Sequence, residues 1–401
     1  MSIWSRRPSW LQWIDAPTWN VLQMGFGFQL VFFAYITQSF IEEAVLKNRH
    51  DQKHDVEKKA GYYSQTIMYG FFVISNLIAP PILRIIGVRY GLLLGSFAYT
   101  IFMIGFLFTN RYYLYITSAT EGLCAGVLWT AMGHYLALNS TPATIGRNSG
   151  FVWIIYMGSL ILGGIFLWVA FGWEGKQEIQ ISVGNCVFAL LRDPPIDEDQ
   201  LMTRNYKTEL RETFRMLSQP DILLLAITFS YSGVELAFWS GVYPTALQFT
   251  HNMKMNTHHL VAANAISTGI GELTGRVTLF IRPPTCFRRL SIRHVRIWLG
   301  ILCGGLMGFT DACINTQIYS LVSVAYAERT TQGFAIHKFF HAIFSTAAML
   351  YGGYAIVGVQ LGILALFAVL SAVSFVYVER RHLPRLQRTR SSQRSLHSVG
   401  T

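Results

Sequence analysis

Apolar stretches long enough to cross a bilayer recur along this chain, and clusters of polar residues separate them. Low-charge runs fall near residues 20–41, 62–83, 88–109, 113–138 and 149–173, then near 222–243, 259–281, 297–320, 333–356 and 358–378. A ~30 Å hydrocarbon layer asks about 18 or more such residues of a helix, so the pattern predicts ten spans in two groups of five. Between the groups, the apolar run 181–191 rises only about 16 Å as a helix and reads as half a span. The predicted organisation is a leader (1–19), an N-terminal transmembrane half (20–191), a central loop (192–220), a C-terminal transmembrane half (221–378) and a basic tail (379–401).

Composition agrees with this pattern. Hydrophobic residues make up 52% of the chain and charged residues 13%, about half the charge of a soluble domain. That excludes a soluble enzyme, a disordered chain and a secreted disulfide scaffold. The charge is also unevenly placed: residues 61–173 hold five charged side chains, whereas residues 41–60 hold ten, five of each sign, and read as a solvated outer loop or short helix. Five cysteines with no C-x-x-C pair give no metal knuckle and no disulfide framework. Residues 1–19 lack the uninterrupted apolar core of a signal peptide, and their four tryptophans (Trp4, Trp10, Trp13, Trp19) suit either a segment at the membrane interface or a disordered leader.

The net charge of +11 is not a nucleic-acid footprint, because no basic domain with interleaved aromatics accompanies it; no nucleic-acid partner is expected. Its placement instead tests the topology, since cytoplasmic loops are enriched in Lys and Arg. With a cytoplasmic N-terminus and twelve crossings, a sixth span near 177–191 and a ninth near 290–296, 22 of the 32 Lys and Arg fall on the inner side and eight outside. With ten crossings the count is 13 inside against 17 outside, and the bias reverses. The charges prescribe twelve spans of which six and nine are shortened or missing. A gene-model or splice deletion is the favoured explanation and re-entrant half-helices the alternative. Both termini are then cytoplasmic, and the Arg-rich tail after Glu379 reads as a topogenic cluster or a contact for anionic lipid.

Several motifs narrow the reading. They are Gly126-Val-Leu-Trp129-Thr-Ala-Met-Gly133, Gly146-Arg-Asn-Ser-Gly150, Phe171-Gly-Trp-Glu-Gly-Lys176, Leu191-Arg-Asp-Pro-Pro195 and Gly271-Glu-Leu-Thr-Gly275. The strongest is Gly308-Phe-Thr-Asp311-Ala-Cys-Ile-Asn315-Thr-Gln317, followed by Phe334-Ala-Ile-His-Lys338-Phe. In this order they resemble the uncoordinated-93-like (UNC-93-like) family of the major facilitator superfamily. The resemblance implies an all-α membrane protein, a helical bundle of two six-helix halves with 10–12 transmembrane helices here. It also implies a regulatory or accessory protein of the channel-regulator or trafficking-chaperone type, with a membrane channel or receptor as partner. Trp129, Gly133, Gly308 and Gln317 are the family-motif positions expected to serve packing.

Ionisable groups inside spans are functional-site candidates by default. Glu121, Glu235, Glu272 and Asp311 are the acids concerned, and Arg276 and Lys338 also fall within spans. Glu272 and Arg276, four apart on one helix face, read as a neutralised pair locking helices or as a gate, with Arg276 near enough to the inner end to snorkel. Asp311 and Asn315 share a face in the same way, either as a cation or proton site or as interhelical glue. Glu121 and Glu235, one per half, are placed to face a central cavity. These residues carry the alternative function, a proton- or cation-coupled carrier of a small solute. His337 and His341 lie on one face but are too few ligands for a metal. Glycines four apart at 91/95, 122/126, 271/275, 300/304 and 304/308 predict close helix packing. No nucleotide motif, cofactor site or catalytic constellation is present in the sequence, so no enzyme activity is expected.

Overall fold

A computed structural model describes residues 15–108, 110–141, 144–172, 211, 214–249, 257–281, 295–326 and 330–399. Ten helices account for almost all of them. They are α1 (Ala16–Lys53), α2 (Ala60–Ile86), α3 (Val88–Phe108), α4 (Arg111–Leu138), α5 (Ile145–Gly172), α6 (Pro220–Gln248), α7 (Thr257–Ile281), α8 (Val295–Ala325), α9 (Thr330–Gly352) and α10 (Val357–Val399). Each overlaps one predicted span. The half-span at 181–191, most of the central loop and the stretch 282–294 lie outside the described residues.

The predicted loop 41–60 is largely helix. No breaker interrupts Ile41 to Lys53, so α1 continues to 38 residues, about 57 Å at 1.5 Å per residue, and its end must project beyond a ~30 Å hydrocarbon layer. Asp15 caps its start, accepting from the Thr18 N–H at 3.3 Å. It stops at His54, whose backbone takes the left-handed conformation (φ 54°) and donates to the His50 carbonyl at 2.9 Å. Beyond it Arg49 pairs with Asp55 at 2.8 Å and holds that carboxyl below the usual carboxylate range. The basic tail likewise continues α10 as helix, with Arg381 bridging to Asp221 at 2.7 Å.

Seven helices (α1, α2, α3, α5, α6, α8 and α10) are long and apolar enough to cross a membrane. The other three, α4, α7 and α9, each carry ionisable side chains within the helix: Glu121 in α4, Glu272 and Arg276 in α7, and Lys338 between His337 and His341 in α9.

An internal two-fold relation organises the packing. Matching α1, α2, α4 and α5 with α6, α7, α8 and α9 turns the α1–α5 packing into α6–α9 and α2–α4 into α7–α8. It also turns α5–α7, which crosses between the halves, into α9–α2. Two extensive packings have no counterpart among the described residues, α3 on α4 and α10 on α6. Their equivalents would fall between α7 and α8 and between α5 and α6, in stretches that lie largely outside the described residues. Those are the places where the charge pattern calls for spans nine and six.

Candidate functional site

Helices from both halves enclose a central cavity of about 140 Å³. Its walls differ in chemistry. The N-terminal half contributes an aromatic lining that includes Tyr35, Tyr69, Tyr99, Trp129, Trp153 and Tyr156. The C-terminal half contributes the charged side chains, Asp311 from α8 and Lys338 from α9, together with Asn315, His341 and Ser240, while Ser39 and Gln65 add polar groups from the N-terminal half. Ser240 is brought there by a π-helical turn at Phe238–Val242, which shifts the register of α6 and aims Trp239, Ser240 and Gly241 at the cavity; such turns recur at functional sites.

The aromatic wall is interlocked. Trp129 and Trp153 stack with ring centroids 6.0 Å apart and 19° between planes, and Tyr156 meets both edge-on at 5.7 Å and 5.5 Å. Phe28 and Phe32 meet Trp129 at tilted angles, with ring centroids 5.4 Å and 5.3 Å away. Offset and edge-to-face contacts of this kind add about 0.5–1.5 kcal/mol each beyond burial. Both halves meet at this wall: the Lys338 ammonium lies 5.3 Å from the Trp129 ring centroid, and the Arg276 guanidinium lies 4.8 Å from that of Trp153.

Of the expected acids, only Asp311 lines the cavity. Asn315 lines it too, but its side-chain amide donates to the Asp311 backbone carbonyl at 3.1 Å, leaving the carboxylate unbound by it. Glu235 and Glu272 are buried behind the wall, and Asp311 is the electrostatic neighbour of both. Glu272 accepts from Arg276 at 2.8 Å, and both side chains are almost completely buried. Arg276 therefore does not snorkel: an acid one turn away and an indole face hold it inside.

Glu121 does not face the cavity. It is fully buried within the N-terminal half, and neither carboxyl oxygen makes a hydrogen bond of good geometry, although the Tyr35 phenol is close enough to interact. Its helix turns it toward the tyrosines of α1, α2 and α3. Glu235 is similarly turned away, with one carboxyl oxygen unpartnered and Tyr231 beside it. His337 and His341 are joined through Ser232, whose hydroxyl lies 2.9 Å from His341 Nδ1 and 3.4 Å from His337 Nε2. Among the described residues no group of three or more His, Cys, Asp or Glu side chains is placed to hold a metal.

The family-motif positions diverge. Trp129 is at the centre of the aromatic wall. Gly308 is packed so tightly that a Cβ there would overlap the Thr268 carbonyl oxygen. Gly133, expected to pack, has nothing within 4 Å of its Cβ position, so close helix approach is not what it provides. Gln317 is exposed, because it lies on the face of α8 opposite Asn315 and the bundle.

Residues given little weight in the sequence complete the site. Lys338 is the cavity's own cation, and its signal, a lysine in an apolar span, was available. Trp153, one tryptophan among ten, carried no signal, since its role comes from stacking across two helices. Glu42 is 2% exposed and accepts from Gln65 at 2.8 Å; it was hidden by placing the end of α1 twelve residues early.

Known proteins share this architecture. Among solved structures, the E. coli fucose:proton symporter superposes with a TM-score of 0.60, covering 91% of this chain and 98% of that one at 13% identity, which establishes the major facilitator fold. The UNC93-like protein MFSD11 of Xenopus tropicalis is 26% identical over 429 residues, covering 90% of this chain and 95% of the relative. The human protein unc-93 homolog A is 22% identical over 438 residues, covering 91% and 94%. Since 90% of 401 residues is about 361, some 68 positions of the 429-residue alignment have no residue here, roughly two spans of ~20 residues with their connections. The family model described as ion channel regulatory protein UNC-93 matches residues 52–283 and 288–376. This chain is therefore an integral, multi-pass membrane protein that belongs to the UNC-93 family, built on the major facilitator fold.

Proposed function

We propose that the protein acts as a regulatory or accessory subunit for a membrane channel or receptor, using a transporter scaffold without transporting an organic solute. The observation that carries this reading is the size of the central cavity. About 140 Å³ is well below the ~300–1,000 Å³ of sites that enclose small molecules, and interlocked rings occupy the remaining centre. The partner is another integral membrane protein, and both termini face the cytoplasm, as the Lys and Arg distribution requires. Purification from native membranes in mild detergent is expected to return one channel or receptor at constant ratio. Repeated recovery of the protein alone would overturn the proposal.

A second reading has its own observation. Asp311 lines the cavity beside Lys338 and is the electrostatic neighbour of Glu235 and Glu272, an arrangement suited to a proton- or cation-coupled carrier. In proteoliposomes this reading predicts solute uptake driven by an imposed ion gradient and abolished by Asp311→Asn. Uptake unchanged in that variant removes Asp311 from the mechanism.

A further inference from the structure

Four side chains from four helices form a continuous stack through the middle of the protein. Lys338 of α9 lies 5.3 Å from the Trp129 centroid, Trp129 of α4 stacks on Trp153 of α5 at 6.0 Å, and Arg276 of α7 caps Trp153 at 4.8 Å. The N-terminal half supplies both indoles and the C-terminal half both cations. The two ends are not equivalent. Arg276 is fixed by Glu272 at 2.8 Å and is almost completely buried behind the cavity wall. Lys338 lines the cavity itself, with Asp311 and six or more aromatic rings.

An ammonium within about 6 Å of an indole centroid is attracted by the ring quadrupole, and more strongly once water is excluded. A cavity with aromatic walls and one carboxylate is what recognises an alkylammonium ion. We propose that the face of Trp129 in the central cavity is a site for a small primary ammonium ion, and that Lys338 fills it from within as a tethered ligand. The flexible four-carbon stem of lysine lets this occupant leave toward Asp311, so a ligand of the same chemistry competes with it for the indole. When the occupant leaves, one of the two cation–indole links between the halves is broken. This inference does not depend on whether the protein regulates a channel or carries a solute.

The test is to remove the tether and supply the ligand. Lys338→Ala should lower the melting temperature of the detergent-solubilised protein, and millimolar propylammonium should restore it in a concentration-dependent way, because a ligand that binds the folded state stabilises it by mass action. Propanol, of the same shape without the charge, should not. In Lys338→Ala combined with Trp129→Leu the propylammonium effect should vanish. Equal stabilisation by propanol, no stabilisation by propylammonium, or rescue that survives Trp129→Leu would each overturn the site, the last by assigning the ion to Asp311 alone. If Lys338→Ala yields no folded protein, the comparison of Lys338→Arg with Lys338→Met decides. A cation site predicts that Arg keeps the parent melting temperature and Met lowers it, whereas Met equal to or above Arg refutes it.

Discussion

Gly308→Val should abolish recovery of folded protein, or lower its melting temperature more than any other single substitution considered. The α7–α8 crossing is made of reciprocal glycine contacts. A Cβ at Gly308 would overlap the Thr268 carbonyl oxygen, one at Gly271 would overlap the Gly305 carbonyl oxygen, and one at Gly275 would come within 2.9 Å of the Ala312 Cβ and the Phe309 carbonyl oxygen. These obstacles are backbone or a side-chain stub, so no rotamer change relieves them. In a bilayer, helix association rests on van der Waals contact and interhelical polar contacts rather than on exclusion of water from apolar surface, and forcing the helices apart forfeits that contact along the whole crossing. Overpacking in a soluble core costs about 1–3 kcal/mol, and a backbone obstacle lies at or beyond the upper end. The displacement would also move Asp311, less than one turn further along α8, away from the cavity. Thermal unfolding monitored by size-exclusion chromatography reads the effect. Gly358→Val is the control, since its Cβ position meets nothing within 4 Å; a Gly308→Val protein that melts with the control would refute the close-packing argument.

The second large effect concerns the buried ion pair. Arg276→Met leaves the Glu272 carboxylate, 0% exposed, without its cation, and removing one partner of a buried pair costs about 3–5 kcal/mol. It also removes the cap on Trp153, which lies 4.8 Å from the guanidinium, so the half-to-half stack is weakened at the same time. Arg276→Met with Glu272→Gln should recover most of the loss, because no isolated charge is then left inside the protein. Melting temperatures of the parent, both single variants and the double variant give the coupling directly. Strong coupling is the signature of a pair that locks α7 in place, and additive losses would show that Glu272 and Arg276 act separately. A gating role predicts instead that folding survives in all variants while partner binding or uptake changes.

Much of this architecture was legible in the residues themselves. Ten low-charge runs correspond to ten helices, because the cost of placing charge in hydrocarbon is a local property of composition. The count of Lys and Arg pointed to twelve spans with six and nine compromised. About 68 unmatched alignment positions are enough for two spans with their connections. The motif containing Gly308, Asp311 and Asn315 marked both the tightest helix crossing and the one carboxylate that lines the cavity. The end of α1 was less legible: charged residues between Glu42 and Lys53 imply water but not loop, and with no breaker before His54 the helix simply leaves the membrane.

Spacing gave the Glu272–Arg276 pair within one helix, but which polar groups meet between helices was beyond its reach. Glu121 and Glu235 occupy plausible positions on plausible spans, but a rotation of one residue, about 100° on a helix, decides whether a carboxyl faces the cavity or its own half. The stack of Lys338, Trp129, Trp153 and Arg276 joins residues from four helices that are up to 209 positions apart in the chain, so no local pattern encodes it. Helix existence, span number and the buried charges were set by composition and periodicity, which act over tens of residues. Helix rotation, the register shift of the π turn in α6 and the clasp between halves are set by packing against distant neighbours, and they emerge only when the whole bundle is assembled.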